Sequence, residues 1–314
     1  MNDSVLLLTA VAAIASGTPL VFAALGEILT ERSGILNLGV DGMMLVGAVS
    51  GFWATSQTGR LEFGVVAAVA AGAAVCLLHA LPAITLRVNQ IVSGLALAML
   101  GTGIATFIGR TGSPPLVGQP PRASFRPLLS GGLADLPVVG PLLFGHDALV
   151  YLSWVLVAGV SWYLFHTRPG LELRAVGEDP GAADAAGVAV VRIRYVHTVL
   201  GGALAGLGGA YFSLALVPSW QDGITGGAGW IAIGLVIFAS WRPWRLLLAA
   251  YLFGGVTRLN FTLQAYGVSV PSQFLAMLPF ILTIVVLILL TGGRRGRFLG
   301  APAALTRPYT REQR

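Results

Sequence analysis

Asp41 and Arg258 are ionisable side chains set inside stretches apolar enough to lie in a hydrocarbon layer, "NLGVDGMM" and "GGVTRLNF". A charge in such a place is costly, so each marks a polar path, an ion pair or an interfacial headgroup contact. Asn37 precedes Asp41 by four residues, one helical turn, which predicts that both side chains share a face able to line a cavity. Asn260 and Gln264 follow Arg258 toward the end of its segment, where the long guanidinium stem can also snorkel to the surface. Asn89 and Gln90 add hydrogen-bonding groups at the start of another segment, where they can cap a helix. Trp230 and Trp53 offer flat faces for stacking or for interfacial anchoring. The chemistry this set supports is recognition of a small polar solute, with Asn37, Asp41, Gln90, Trp230, Arg258 and Asn260 as the path candidates.

Catalysis is poorly provided for. The chain has no lysine, so it cannot supply the P-loop G-x-x-x-x-G-K-[ST] that holds nucleotide phosphates. Its one cysteine, Cys76, lies in an apolar stretch, and His79, His146, His166 and His197 have no metal-ligand spacing. Neither G-x-S-x-G nor H-E-x-x-H occurs. The sequence therefore predicts no catalytic residue, no metal site and no cofactor in this chain.

The elements that must carry the polar residues are read from composition. Hydrophobic residues make up 55% and charged residues 10%, with a mean hydropathy of +0.81, values that belong to a polytopic membrane protein. Apolar segments of helix-spanning length recur at 4–26, 36–57, 62–82, 90–109, 147–167, 195–217, 225–241, 246–262 and 271–291. The expected fold is an all-α transmembrane bundle of about 8–10 spans. The first span lacks a basic leader and carries Asp3, so it reads as a retained helix. All 19 basic residues are arginine, and with nine spans 14 of them fall on one side. Positive-inside bias makes that side cytoplasmic, places the N-terminus outside and the C-terminus inside. The net charge of +6 then reflects topology, and no nucleic-acid partner is implied.

Residues 171–195, "LELRAVGEDPGAADAAGVAVVRIRY", form a polar island on the arginine-rich side. Within it Asp179 is placed to cap a helix, Pro180 suits the first helical position and Gly187 can close the far end. Two turns alone are marginal in water, so such a helix needs something to dock against.

Three passages, "ERSGILNLGVDGMMLVGA" at 31–48, "LRAVGEDPGAADAAGV" at 173–188 and "GGAGWIAIGLVIFASWRP" at 226–243, give the chain its resemblance to the permease subunits of bacterial ATP-binding-cassette importers for nucleosides and simple sugars, nearest the nucleoside branch. The resemblance extends from about residue 15 to 291. It implies that residues 171–192 transmit the closure of a separate ATPase subunit, with ATP and magnesium held there. By the same resemblance Glu178, Asp179, Pro180, Ala183, Ala186 and Gly187 make the contact, with Arg174 and Glu172 at its rim. It further implies a second, related permease chain, an extracytoplasmic binding protein, a nucleoside or another small polar solute, and residence in the inner cell membrane.

The expected organisation is a single permease domain over 1–293, with a cytoplasmic coupling segment at 168–194 and an external loop at 110–146. A basic tail at 294–314 is expected to rest on anionic lipid headgroups. "LGGALAGLGGAY" at 200–211 places Gly202 and Gly206 four residues apart, a pattern that lets two helices approach closely, within the chain or between subunits.

Overall fold

The computed structural model describes residues 3–112, 114–129, 131–265, 274, 277–291 and 300–310. The expected all-α architecture is what the described residues adopt. The helices are α1 (Asp3–Arg32), α2 (Val40–Thr58), α3 (Leu61–Ala80), α4 (Gln90–Thr111), α5 (Ala148–His166), α6 (Arg168–Glu178), α7 (Pro180–Ala185), α8 (Val190–Tyr211), α9 (Ala228–Phe238), α10 (Pro243–Ala265) and α11 (Leu278–Thr291). Among the described residues, five helical runs are long and apolar enough to cross a membrane: Leu7–Arg32, Leu61–Thr85, Gln90–Thr111, Ala148–His166 and Val190–Leu216.

Two helices form the centre. α1 packs against α8, α9 and α10, while α2 packs against α3, α4, α8 and α9. α2 is buried almost all round, from Val40 to Ser56, so it needs no lipid-facing apolar stripe and instead carries glycine, serine and threonine at its contacts. Close approach follows from glycine on both sides. A Cβ on Gly47 would lie 2.3 Å from the Gly206 carbonyl oxygen, and one on Gly101 would lie 2.5 Å from the Gly42 Cα. The small-residue pattern at 200–211 therefore finds its partners inside the chain: Gly202 abuts Gly72 and Cys76, and Gly206 abuts Ala68.

The seventh expected span, 225–241, is a shorter element. α9 has 11 residues, about 16 Å of helix, half of a hydrocarbon core of about 30 Å. The glycine-rich turn before it has positive φ at Gly223, Gly226 and Gly227, which ends regular structure midway. Asp41 stabilises the start of α9, its Oδ1 accepting a hydrogen bond of 3.0 Å from the Gly229 amide. This joins α2 to α9 through a group that α9 itself does not provide. Asp41→Ala is expected to destabilise the fold by about 1 kcal/mol, read as a lower unfolding midpoint in detergent.

The 110–146 stretch has structure of its own. Phe125 donates its amide to the Leu214 carbonyl at 2.9 Å, Leu128 donates to His146 at 2.8 Å, and Asp147 both caps α5 and accepts the Tyr211 hydroxyl at 3.0 Å. Arg110 pairs with Asp222 at 2.5 Å, fastening the end of α4 to the turn before α9.

Candidate functional site

The polar island folds as two helices. α6 starts at Thr167, whose hydroxyl accepts from the Gly170 amide at 3.1 Å, and it buries Leu173 and Val176. At Asp179 the chain turns extended, and the same carboxylate oxygen accepts from Gly181 at 2.9 Å and Ala182 at 3.0 Å to begin α7. Pro180 takes the first position and Gly187, at φ +85°, closes the unit with its amide 2.9 Å from the Asp184 carbonyl. These local expectations from sequence hold.

The surfaces differ from expectation in two places. Ala183, expected on the docking face, is buried against Val176 and Val190, with Tyr309 packed beside them. A six-residue helix needs an inward residue to hold it, and Ala183 is that residue. Glu178 turns to the tail, accepting from the Ala303 amide at 3.3 Å. Ala182, Ala185, Ala186 and Gly187 remain exposed. Beside them lies a groove of about 570 Å³ lined by Asp184, Arg87, Arg192 and Tyr309 among others.

The described part of the tail packs on the protein. In residues 300–310 the Ala304 amide donates to the Gly177 carbonyl at 2.9 Å, while Arg194 donates from Nε to Ser33 O at 3.2 Å and from Nη1 to Arg307 O at 3.5 Å. The guanidinium of Arg194, 2% exposed, also faces the Tyr309 ring. The reason is compositional: "APAALTRPY" is small and apolar, and Pro302 and Ala304 are buried. The arginine-dense stretch at 294–297 lies outside the described residues.

Beneath this face sit two carboxylates that the hydropathy boundary at residue 26 hid. α1 continues to Arg32, and Glu27 and Glu31, one turn apart, are 2% and 1% exposed. Glu27 Oε1 accepts from the Asn37 amide at 3.0 Å. Glu31 Oε2 accepts from Trp241 Nε1 at 2.5 Å, and Arg32 Nη2 donates to the Trp241 carbonyl at 3.4 Å. Ser240 and Trp241 both have positive φ, 52° and 55°, a strained turn for non-glycine residues that these bonds hold. The available signal was the spacing: Glu27 and Glu31 continue the stripe of Leu20 and Ala24. Trp241→Phe is expected to leave Glu31 short of a donor and to destabilise by about 1–3 kcal/mol, read by thermal unfolding in detergent.

Asn37 and Asp41 do not share a helical face. Asn37 precedes α2 in a turn, fully buried, with its Oδ1 accepting from Gly39 at 2.9 Å. An asparagine that bonds the backbone two residues ahead stabilises a turn in place of the helix. Gln90 is likewise a frame residue, 4% exposed and accepting from the Leu36 amide at 2.8 Å, while Asn89 caps α4 as expected. Trp230 is 41% exposed, consistent with anchoring. The side chains of Asn260 and Gln264 lie outside the described residues.

Arg258 is where a path candidate meets open space. It lines a cavity of about 400 Å³ walled by α1, the end of α8, the glycine-rich turn, α9, α10 and α11. Asp41 is not among the residues lining this cavity; its carboxylate serves α9.

Comparison with known proteins gives a consistent outcome. Residues 9–295 match the family described as branched-chain amino acid transport system / permease component. A Haloferax volcanii protein bearing the name of a glucose ABC transporter permease is 39% identical, over 96% of this chain and 97% of its own. A guanosine ABC transporter permease of Bacillus subtilis is 34% identical over 96% of both chains. A nucleoside ABC transporter permease of Lactococcus lactis is 34% identical over 88% of this chain and 89% of its own. No solved structure matches the chain.

Proposed function

The chain belongs to the family of permease components of branched-chain amino acid transport systems, and from that premise we propose that it is the membrane-spanning subunit of an ATP-driven importer of nucleosides. The observation that carries this reading is the α6–α7 unit, a capped pair of helices in which α7 and its closing turn expose Gly181, Ala182, Ala185, Ala186 and Gly187. Such a surface is smooth enough to enter a cleft of another protein, and the neighbouring groove with Arg87, Arg192 and Asp184 offers charges at its edge. ATP and magnesium belong to the partner ATPase. This chain contributes no catalytic step; it binds, orients and moves.

The arginine distribution supports a cytoplasmic position for α6–α7 and the tail, with the N-terminus outside and the chain in the cytoplasmic membrane. ATPase closure would then press on α7, whose inner residue Ala183 bears on Val176 and Val190 at the start of α8. α8 packs on both central helices, so motion at its base reaches α1 and α2 together. A second, related permease completes the path, and a binding protein delivers the solute from outside.

A second reading keeps the mechanism and changes the solute to a simple sugar, favoured by the 39% identical relative named for glucose. Both are tested by affinity purification of the tagged chain from its own membranes in mild detergent, followed by uptake assays with labelled guanosine and labelled glucose. Recovery of an ATPase and a second permease with guanosine uptake is the expected result. Glucose uptake alone would establish the sugar reading. Recovery of this chain alone, with transport intact, would overturn the importer and indicate an ion-coupled carrier.

A further inference from the structure

We infer that residues 300–305 of the tail are a mechanical link that carries motion of the α6–α7 unit to α9, the half-length helix bordering the cavity of about 400 Å³. This deepens the importer reading and rests on it, since the stroke comes from the ATPase. α6 has α1, α5, α7 and α8 as its main helical neighbours, whereas α9 has α1, α2, α10 and α11. The tail segment touches both sides. Toward α6, the Ala304 amide donates to the Gly177 carbonyl at 2.9 Å and the Ala303 amide to Glu178 Oε2 at 3.3 Å. Toward α9, Gly300 lies so close to the turn at Ser240 that a Cβ on it would stand 3.0 Å from the Ser240 carbonyl oxygen. Its φ of +117° also disfavours any other residue there. Ala301 and Leu305 pack on the apolar core that includes Leu173 of α6 and Ala239 and Trp241 just past α9.

A link must have little slack. Gly300 and Ala304 are four residues apart, and Pro302 between them has a fixed φ and is buried. A Cβ on Gly177 would lie 3.2 Å from that of Pro302, so no gap separates α6 from the segment. Close-packed groups of this kind pass on a displacement because they compress little. The far end is held as well, since Arg194 of α8 donates to the Arg307 carbonyl at 3.5 Å and faces the Tyr309 ring. On the receiving side, α9 is a short regular helix with Ser240 past one end and the glycine-rich turn before the other. The glycines give that turn freedom to follow. Gly226 of the turn and Ala228 and Ile231 of α9 line the cavity, so a shift entering at Ser240 alters its wall. The route through α8 acts on α1 and α2 together; the tail acts on α9 separately.

The test uses the full complex of this chain with its partner permease, ATPase and binding protein in liposomes. The labelled solute is guanosine or glucose, whichever the wild-type complex imports, and import and ATP hydrolysis are measured on the same vesicles. A chain ending at Leu299 is expected to keep its ATP hydrolysis while import per ATP falls about five-fold or more, the scale of coupling between distant sites. Import and hydrolysis falling in proportion would show that the segment serves ATPase docking alone and would overturn the link. Unchanged import per ATP would overturn it equally. If the truncated chain does not assemble, Ala304→Pro takes its place with the same expectation, because it removes only the donor to Gly177. The wild-type complex supplies a second measurement by hydrogen exchange, which reads local opening segment by segment. ATP with magnesium is expected to change protection at 223–241 and 300–305 together. A change at 171–190 with none at 223–241 would overturn the link while leaving the importer reading intact. A wild-type complex that hydrolyses ATP without importing either solute, or imports without ATP, would overturn the importer reading itself.

Discussion

Gly47→Val is expected to leave almost no folded protein in the membrane. The first added carbon would sit 2.3 Å from the Gly206 carbonyl oxygen and 2.5 Å from its Cα, and both belong to backbone, which cannot rotate aside. α2 has neighbours on nearly every side, so parting it from α8 drives it into α3 or α4. Overpacking of this kind destabilises by about 3 kcal/mol or more, a large part of a total stability of about 5–15 kcal/mol. Gly103→Val is the control, since a Cβ there meets nothing within 4 Å. Yield of monodisperse protein after detergent extraction, followed by thermal unfolding, checks the pair. Equal yields from both variants would show that the central helices can separate without loss.

Ala186→Arg should do the opposite: preserve the fold and remove transport. Ala186 is exposed at the end of α7, so the longer side chain extends into water at little cost to the chain itself. In the importer it would stand in the cleft of the ATPase, where a charge without a partner is strongly unfavourable. ATP-driven uptake is expected to fall about ten-fold or more, a loss of about 1.4 kcal/mol in docking being enough for that factor, while extraction yield and unfolding midpoint stay unchanged. Glu178→Arg tests a different contact, because that carboxylate accepts from Ala303. It should loosen the tail and lower stability slightly before it affects docking. Normal uptake by the Ala186 variant would remove α7 from the interface.

Features written in a few adjacent residues were legible from sequence. Asp179, Pro180 and Gly187 specify the α7 unit by capping and by backbone conformation alone, and they do so in the structure. The five expected spans that overlap the long apolar runs among the described residues were legible for the same reason, because hydropathy is a local sum. What escaped depends on partners distant in the chain. The role of Asp41 is set by Gly229, that of Glu31 by Trp241, and that of Glu178 by Ala303. Asn37 was misread because four-residue spacing predicts a shared face only where a helix already runs, and α2 begins at Val40. The half-length of α9 was concealed because Gly226 and Gly227, which score as neutral in hydropathy, delay its start through their conformations, and Ser240 and Trp241 turn the chain just past its end.

Residues 300–310 come after every helix described above in chain order, yet they complete the footing of α6 by bonding Gly177, Glu178 and Arg194. A chain emerging from the ribosome folds from its N-terminal part onward, so α6 and α7 are made well before the segment that braces them. The brace can close only after α8 to α11 have been synthesised. Completion of this face thus reports that synthesis has passed the last helix, and a nascent or prematurely terminated chain presents an unbraced unit to any partner waiting at the membrane.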